Sequence, residues 1–294
     1  MKMLNVKKEM TFQSTLVDKN EVIMESAYES AHQATTGKYE IQMIFNGAAA
    51  YTIANRELNL YSGNFIFLNQ DTSYHRKIDS MLKVDSMSVL FDPDFVLDFE
   101  YVRNAKAELL LDEPISTERK APVFVEAIYP LEGDMKFNLL NLKKHLDQGC
   151  QDNLLLNTYL EHALHNYYAL YDAEVTHREA SLKFLSHTTK SEILRRLSIA
   201  RDYIISNYNK NICLEEIARI ACLSVNHFLR TFKQAYHQSP HQFLTSIRLR
   251  QAKYFLRNTD YPVNEIVDIV GFECPSSFIR LFRNSFQVTP GQYR

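Results

Sequence analysis

The last hundred residues of this chain contain one pattern twice. Phe228, Arg230, Phe232, Pro240, Gln242 and Phe243 recur 50 residues later as Phe278, Arg280, Phe282, Pro290, Gln292 and Tyr293. Upstream, at an offset of 49, Leu214, Ile217, Ala218 and Leu223 are answered by Val263, Ile266, Val267 and Phe272. Repetition at such a period means that each copy is one structural unit. Each reads as two short helices around a tight turn, followed by a Ser/Thr-Pro that opens a further helix. The pattern predicts a tandem helix-turn-helix, over about 212–236 and 262–286, and therefore contact with DNA.

In the first copy Leu214–Ala221 is the expected supporting helix, Cys222-Leu223 the turn, and Ser224 the cap of a helix from Val225 to about Tyr236. Phe228 and Phe232, four apart, share the inner face, which leaves Asn226, His227, Leu229, Arg230 and Lys233 outside. In the second, Asn264–Val270 supports, Gly271 turns, and a helix begins near Pro275, a residue suited to a first turn. Phe278 and Phe282 face inward; Ser276, Ser277, Ile279, Arg280 and Arg283 lie outside. Ser239-Pro240 opens a spacer helix to about Leu256, roughly 25 Å long. A strut of that kind can set two reading helices into successive major-groove segments, roughly 34 Å apart. Another helix is expected to start at Ser191 and to cover the first copy through Ile193, Leu197, Ala200 and Ile204.

The segments ICLEEIARIACLSVNHFLRTFKQAYHQSPHQFLTSIRLRQAKYFL and YPVNEIVDIVGFECPSSFIRLFRNSFQVTPGQYR resemble the DNA-binding domain of the AraC/XylS family of bacterial transcription regulators. The resemblance implies that Asn226, Leu229 and Arg230 reach bases in one groove and Ser276, Ile279 and Arg280 in the next. Arginine suits guanine O6/N7, and Leu229 or Ile279 suits a thymine methyl. Ser224, His227, Lys233, Ser277 and Arg283 would hold phosphates, which gives affinity without base choice. Double-stranded DNA, a second copy of the chain and RNA polymerase are the implied partners. Two positions depart from the family pattern. Cys222 stands where glycine is common, and a left-handed backbone there costs a side-chain-bearing residue ~1–2 kcal/mol. Val267 replaces a smaller residue.

Charge agrees with that division of labour. The net −2 of the 294 residues splits into +7 from Lys190 onward and −9 before it, as suits a polyanion binder joined to a control domain. The four cysteines lie far apart with no CxxC and read as reduced thiols. No apolar run approaches ~18 residues and no basic-then-apolar leader stands at Met1, so a cytoplasmic protein is expected.

The acidic part changes character along its length. Short aromatic and β-branched runs (Tyr39–Phe45, Leu58–Tyr61, Phe65–Leu68, Ser86–Phe91) are punctuated by Asn46-Gly47, Ser62-Gly63-Asn64 and Asp92-Pro93, which predicts a sandwich or small barrel. After Asp134 the steps become helical: Leu139, Leu142 and Leu146, then Leu155, Tyr159, His162 and Asn166, with Gly149 as the break. Asp172–Lys190 is polar and without period. The expectation is an α+β multidomain chain: a sheet-rich region over 1–133, a helical dimerisation or packing segment over 134–175, a linker over 176–190 and an all-α DNA-binding domain over 191–294. The run YEIQMIFNGAAAYTIANRELNLYSGNFIFLNQDTSYHRKID resembles the cupin-like β-barrel, or jelly-roll, that senses small molecules in many AraC-family members. Candidate effector-pocket residues are Gln42, Phe45, Tyr51, Phe67, Tyr74 and His75, with Phe65 and Met87 nearby; an ordinarily filled core remains the alternative. No H-x-H, nucleophile–base pair or phosphate-cradling loop is present, so neither metal nor cofactor is expected. Two other readings stay open: a metal-binding cupin-type enzyme with an appended DNA module, and a regulator whose N-terminal domain only dimerises.

Overall fold

The computed structural model describes residues 10–35, 37–53, 56–104, 121–183 and 186–294. The chain divides into two compact units, 1–173 and 174–294. The expected linker over 176–190 therefore belongs to the second unit, and the helical segment belongs with the strands of the first.

In the first unit the strands are β1 (Thr11–Val17), β2 (Asn20–Thr35), β3 (Tyr39–Asn46), β4 (Ala48–Ile53), β5 (Arg56–Tyr61), β6 (Asn64–Leu68), β7 (Ser73–Phe91) and β8 (Ile128–Pro130). They form one antiparallel sheet in the order β1-β2-β7-β3-β6-β8, with the β4–β5 hairpin branching from β7. The ends of that order do not meet, so the expected barrel is an unclosed sheet. It nevertheless folds over on itself. Leu90 in late β7 pairs with Glu40, and an extended strand would carry Tyr74 roughly 50 Å away from that point. Yet the Tyr74 hydroxyl donates to Glu40 Oε2 at 3.1 Å. The bend coincides with a register shift between Ala27 and Glu29 on β2. At Asn46-Gly47 the turn needs glycine: φ is +83°, and a Cβ there would lie 2.8 Å from Val84 Cγ2.

Folding the sheet buries both faces of its centre, along β3 and β6. One face (Tyr39, Ile41, Met43, Phe65, Phe67, Met87, Val89) shares a core with the helices α2 (Gly133–Asp147) and α3 (Asn153–Asp172), which follow α1 (Pro93–Asn104). Phe67 stacks on Tyr167 at 3.9 Å, and Phe124 meets both rings edge-on. On α3 the buried stripe is Leu156, Leu160, Ala163, Leu164, Tyr167 and Tyr168. The expected stripe of Leu155, Tyr159, His162 and Asn166 lies beside it. The Leu154–Leu156 run offers apolar residues to several faces at once, and the tyrosines at 167 and 168 decide between them.

The second unit holds a short helix α4 (Arg178–Ser181), then α5 (His187–Ser206), α6 (Leu214–Ile220), α7 (Val225–Tyr236), α8 (Pro240–Asn258), α9 (Val263–Ile269), α10 (Pro275–Phe286) and α11 (Pro290–Tyr293). The covering helix α5 starts four residues before the expected Ser191, because Ser186 caps it by accepting from Thr189 N–H.

Candidate nucleic-acid interface

The repeated residues prove to be the scaffold of two matching units. Phe228 and Phe232 are fully buried and 5.2 Å apart; Phe278 and Phe282 are likewise buried, at 5.6 Å. Ser239 and Thr289 each form a capping box with a glutamine three residues on, Gln242 or Gln292, with proline at the first turn. This explains the recurring Pro and Gln. Phe243 and Tyr293 then close on Phe232 and Phe282, both at 5.7 Å. Both reading helices, α7 and α10, end on a left-handed residue, His237 at φ 56° and Gln287 at φ 63°. The turns correspond too: Cys222 has φ 51° and Gly271 φ 83°.

With the phenylalanines inward, the opposite faces are left open. On α7, Asn226, Arg230 and Lys233 are exposed, His227 and Leu229 half-buried, and Ser224 caps the helix by accepting from His227 N–H. On α10, Ser276, Arg280 and Arg283 are exposed, Ser277 is half-buried, and Ile279 shows 40% of its surface. Each sequence-derived set thus shares one side of one helix. Among the described residues, Arg230, Lys233, Arg280 and Arg283 have no carboxylate partner. Several other cations of the unit are engaged. Arg195 and Arg196 pair with Glu192, Arg201 with Glu174 and Asp202, and Arg248 donates to the Tyr208 and Lys210 carbonyls at 2.7 and 2.9 Å.

At the start of α10 the cap residue is Cys274, whose side chain makes no capping bond. Its sulfur lies 3.1 Å from Ser276 Oγ. The nearby hydroxyl and amide donors of Ser276 and Ser277, the Ser276 hydroxyl foremost, bring this exposed thiol down to a pKa of about 7.

The candidate effector residues do not come together as one set. Gln42, Tyr51 and Tyr74 converge on the inner face of the folded sheet. Phe67 lies on the opposite face in the helix-side core, and Phe45 packs against that same core. His75 is exposed on β7. Strand alternation separates them: Phe67 is paired opposite Ile41, while Gln42 pairs with Ile66. The inner face also holds residues the sequence reading missed. Glu40 receives Gln42 Nε2 at 2.8 Å and the Tyr74 hydroxyl, and Arg76 pairs with Glu25, to which His32 Nε2 lies 3.3 Å away. Burial lifts the Glu40 carboxyl to about 7 against the opposing hydrogen bonds from Gln42, Tyr74 and Ser88. Gln42 Oε1 and the Tyr51 hydroxyl are buried without a partner among the described residues. No group of three His, Cys, Asp or Glu that could hold a metal ion occurs among the described residues. None of their helices is long and apolar enough to cross a membrane.

Two short helices crossing at a tight turn, built twice on one strut, make the second unit a tandem helix-turn-helix DNA-binding domain. Residues 217–294 match the family model described as "Helix-turn-helix domain". An uncharacterized HTH-type transcriptional regulator of Haemophilus influenzae is 33% identical over 100 residues, 34% of each chain. The lactose operon transcription activator of Staphylococcus xylosus is 32% identical over 95 residues, 32% of this chain and 34% of that one. The chain thus matches only about a third of the length of these relatives. A more distant likeness runs nearly end to end: the uncharacterized HTH-type transcriptional regulator YdeC of Bacillus subtilis is 22% identical over 268 residues, covering 87% of this chain and 84% of its own. The C-terminal domain is of the AraC/XylS type.

Proposed function

We propose that this protein is a sequence-specific transcription regulator whose second unit reads DNA with α7 and α10 and whose first unit dimerises and senses a small molecule. The observation that carries the reading is the unequal use of cations. Arg230, Lys233, Arg280 and Arg283 stand on the two open helix faces without carboxylate partners, while Arg195, Arg196, Arg201 and Arg248 are tied into the fold. Uncommitted cations in register on repeated helices suit a regularly spaced polyanion. Arg230 and Arg280 are assigned to bases, with Asn226, Leu229, Ser276 and Ile279 beside them. Lys233 and Arg283 are assigned to phosphates, together with Ser224, His227 and Ser277.

Selection from random DNA followed by titration of single variants tests this. Arg280→Ala should cost about 1–3 kcal/mol on the selected site and relax base preference there. Lys233→Ala should weaken cognate and random DNA alike and shallow the salt dependence. Equal losses on both DNAs for Arg280→Ala would refute the base assignment.

For the first unit, the inner-face cluster of Glu40, Gln42, Tyr51 and Tyr74 is the proposed effector contact. Unpartnered Gln42 Oε1 is free to accept a hydrogen bond and the Glu40 carboxyl already accepts them, which suits an effector rich in N–H or O–H groups. The proposed dimer face is the outer side of α2 and α3. There a groove of about 520 Å³ is lined by Phe137, Leu155, Tyr159 and His162, and Phe137 and Leu154 are exposed.

A further inference from the structure

We infer that Glu174–Leu182, the segment that leads from the first unit into the second, positions the first reading helix, with Arg178 as the residue that grips it. The inference rests on α7 being a reading helix, and its placement of α7 is testable without DNA.

The two reading helices end on corresponding aromatics, Tyr236 and Phe286. Each packs against the phenylalanine four residues earlier, with ring centres 4.4 and 4.7 Å apart. Each also has a cation over its ring. For Phe286 it is Lys253, 4.9 Å from the ring centre, and Lys253 stands on the strut α8 within the same domain. For Tyr236 it is Arg178, with its guanidinium 4.3 Å from the ring centre. Arg178 comes from α4, before the covering helix and outside the region matched to the helix-turn-helix family.

Arg178 is itself anchored. It pairs with Glu174 one turn earlier, and Glu174 Oε2 also receives Arg201 Nη1 at 2.6 Å. Arg201 in turn lies 3.2 Å from Asp202 Oδ1, and both of those residues are buried. One carboxylate thus serves two guanidiniums beneath α7, and removing it leaves the buried Arg201 and the half-buried Arg178 underpaired. Leu182 closes the segment and is fully buried. The second reading helix is held from within its own domain. The first depends on a stretch covalently continuous with the chain of the first unit, so displacing that stretch would withdraw the cation from Tyr236 and release α7 alone.

Amide hydrogen exchange on the full chain, without DNA, tests the inference. Arg178→Ala should speed exchange in Val225–Tyr236 by about 2- to 30-fold, the factor equivalent to a cation–π contact of ~0.5–2 kcal/mol. Pro275–Phe286 should be unchanged, and Arg178→Lys should give an intermediate value. Unchanged exchange in α7, or an equal rise in both helices, would overturn the inference. If Arg178→Ala does not fold, Glu174→Gln is read by the same two criteria. On selected DNA, protection by Arg178→Ala should be lost over the part read by α7 and kept over the part read by α10. A wild-type chain that selects no DNA would sink the functional reading, while the exchange data would still decide the positioning role.

Discussion

The first and second helix-turn-helix units solve one packing problem with different residues at three points. Their cores and capping boxes correspond residue by residue, as the paired ring distances show. Their turns do not: Cys222 adopts a left-handed backbone that Gly271 adopts without a side chain. Their first caps do not: Ser224 bonds His227 N–H, while Cys274 makes no capping hydrogen bond. Their end aromatics are covered by cations from different parts of the chain. Duplication therefore kept what holds the helices together and varied what surrounds their ends, where the two units can differ in stability and control.

The largest expected difference lies at the turns. A Cβ at Gly271 would sit 2.8 Å from the Asn209 carbonyl oxygen, a backbone atom that cannot swing aside, on a φ of +83°. Gly271→Ala should lower stability by roughly 3 kcal/mol, combining strain with a forced shift, as measured by denaturant unfolding. Cys222→Ala, already in its backbone basin, should cost little; similar losses at both turns would break the comparison. Next comes the cap. Ser224→Ala should cost about 1 kcal/mol, while Cys274→Ala should stay within about 0.5 kcal/mol, each read from a thermal melt. Relief of backbone strain follows: Cys222→Gly should stabilise the domain by less than about 1 kcal/mol, since glycine's greater unfolded-state entropy offsets part of the gain. The smallest effect is chemical. Cys274 should alkylate with a rate that inflects near pH 7, its thiolate fraction falling as the pH drops below that value. Mass spectrometry of the labelled peptides would check it, and a half-rise a full unit higher would contradict the donors gathered around Cys274.

The second unit was legible because its repeat supplied an internal alignment. Two copies separate core from surface by comparison alone: Phe228, Phe232, Phe278 and Phe282 are buried, while Asn226, Arg230, Ser276 and Arg280 are exposed. The first unit offered no such control. With helices on one face of the sheet and the folded sheet itself on the other, β3 and β6 are apolar or buried at both parities. Period-two alternation vanished, and Phe67 was grouped with Gln42 although the sheet lies between them. The polar residues Glu25, Glu40 and Arg76, buried on the inner face, drew no reading from the sequence. The segment before α5 misled for the same reason: Glu174 and Arg178 give it the composition of a linker, yet those charges fasten it down.

The seat of Gly271 on the Asn209 carbonyl, with Arg248 hooked onto the neighbouring backbone, locks the hinge at which one half of the domain would pivot against the other. Such a molecule behaves as a fixed-jaw caliper. One base pair slipped between the two recognition sequences rotates one of them by about a tenth of a turn, and the burden of re-phasing falls on the duplex.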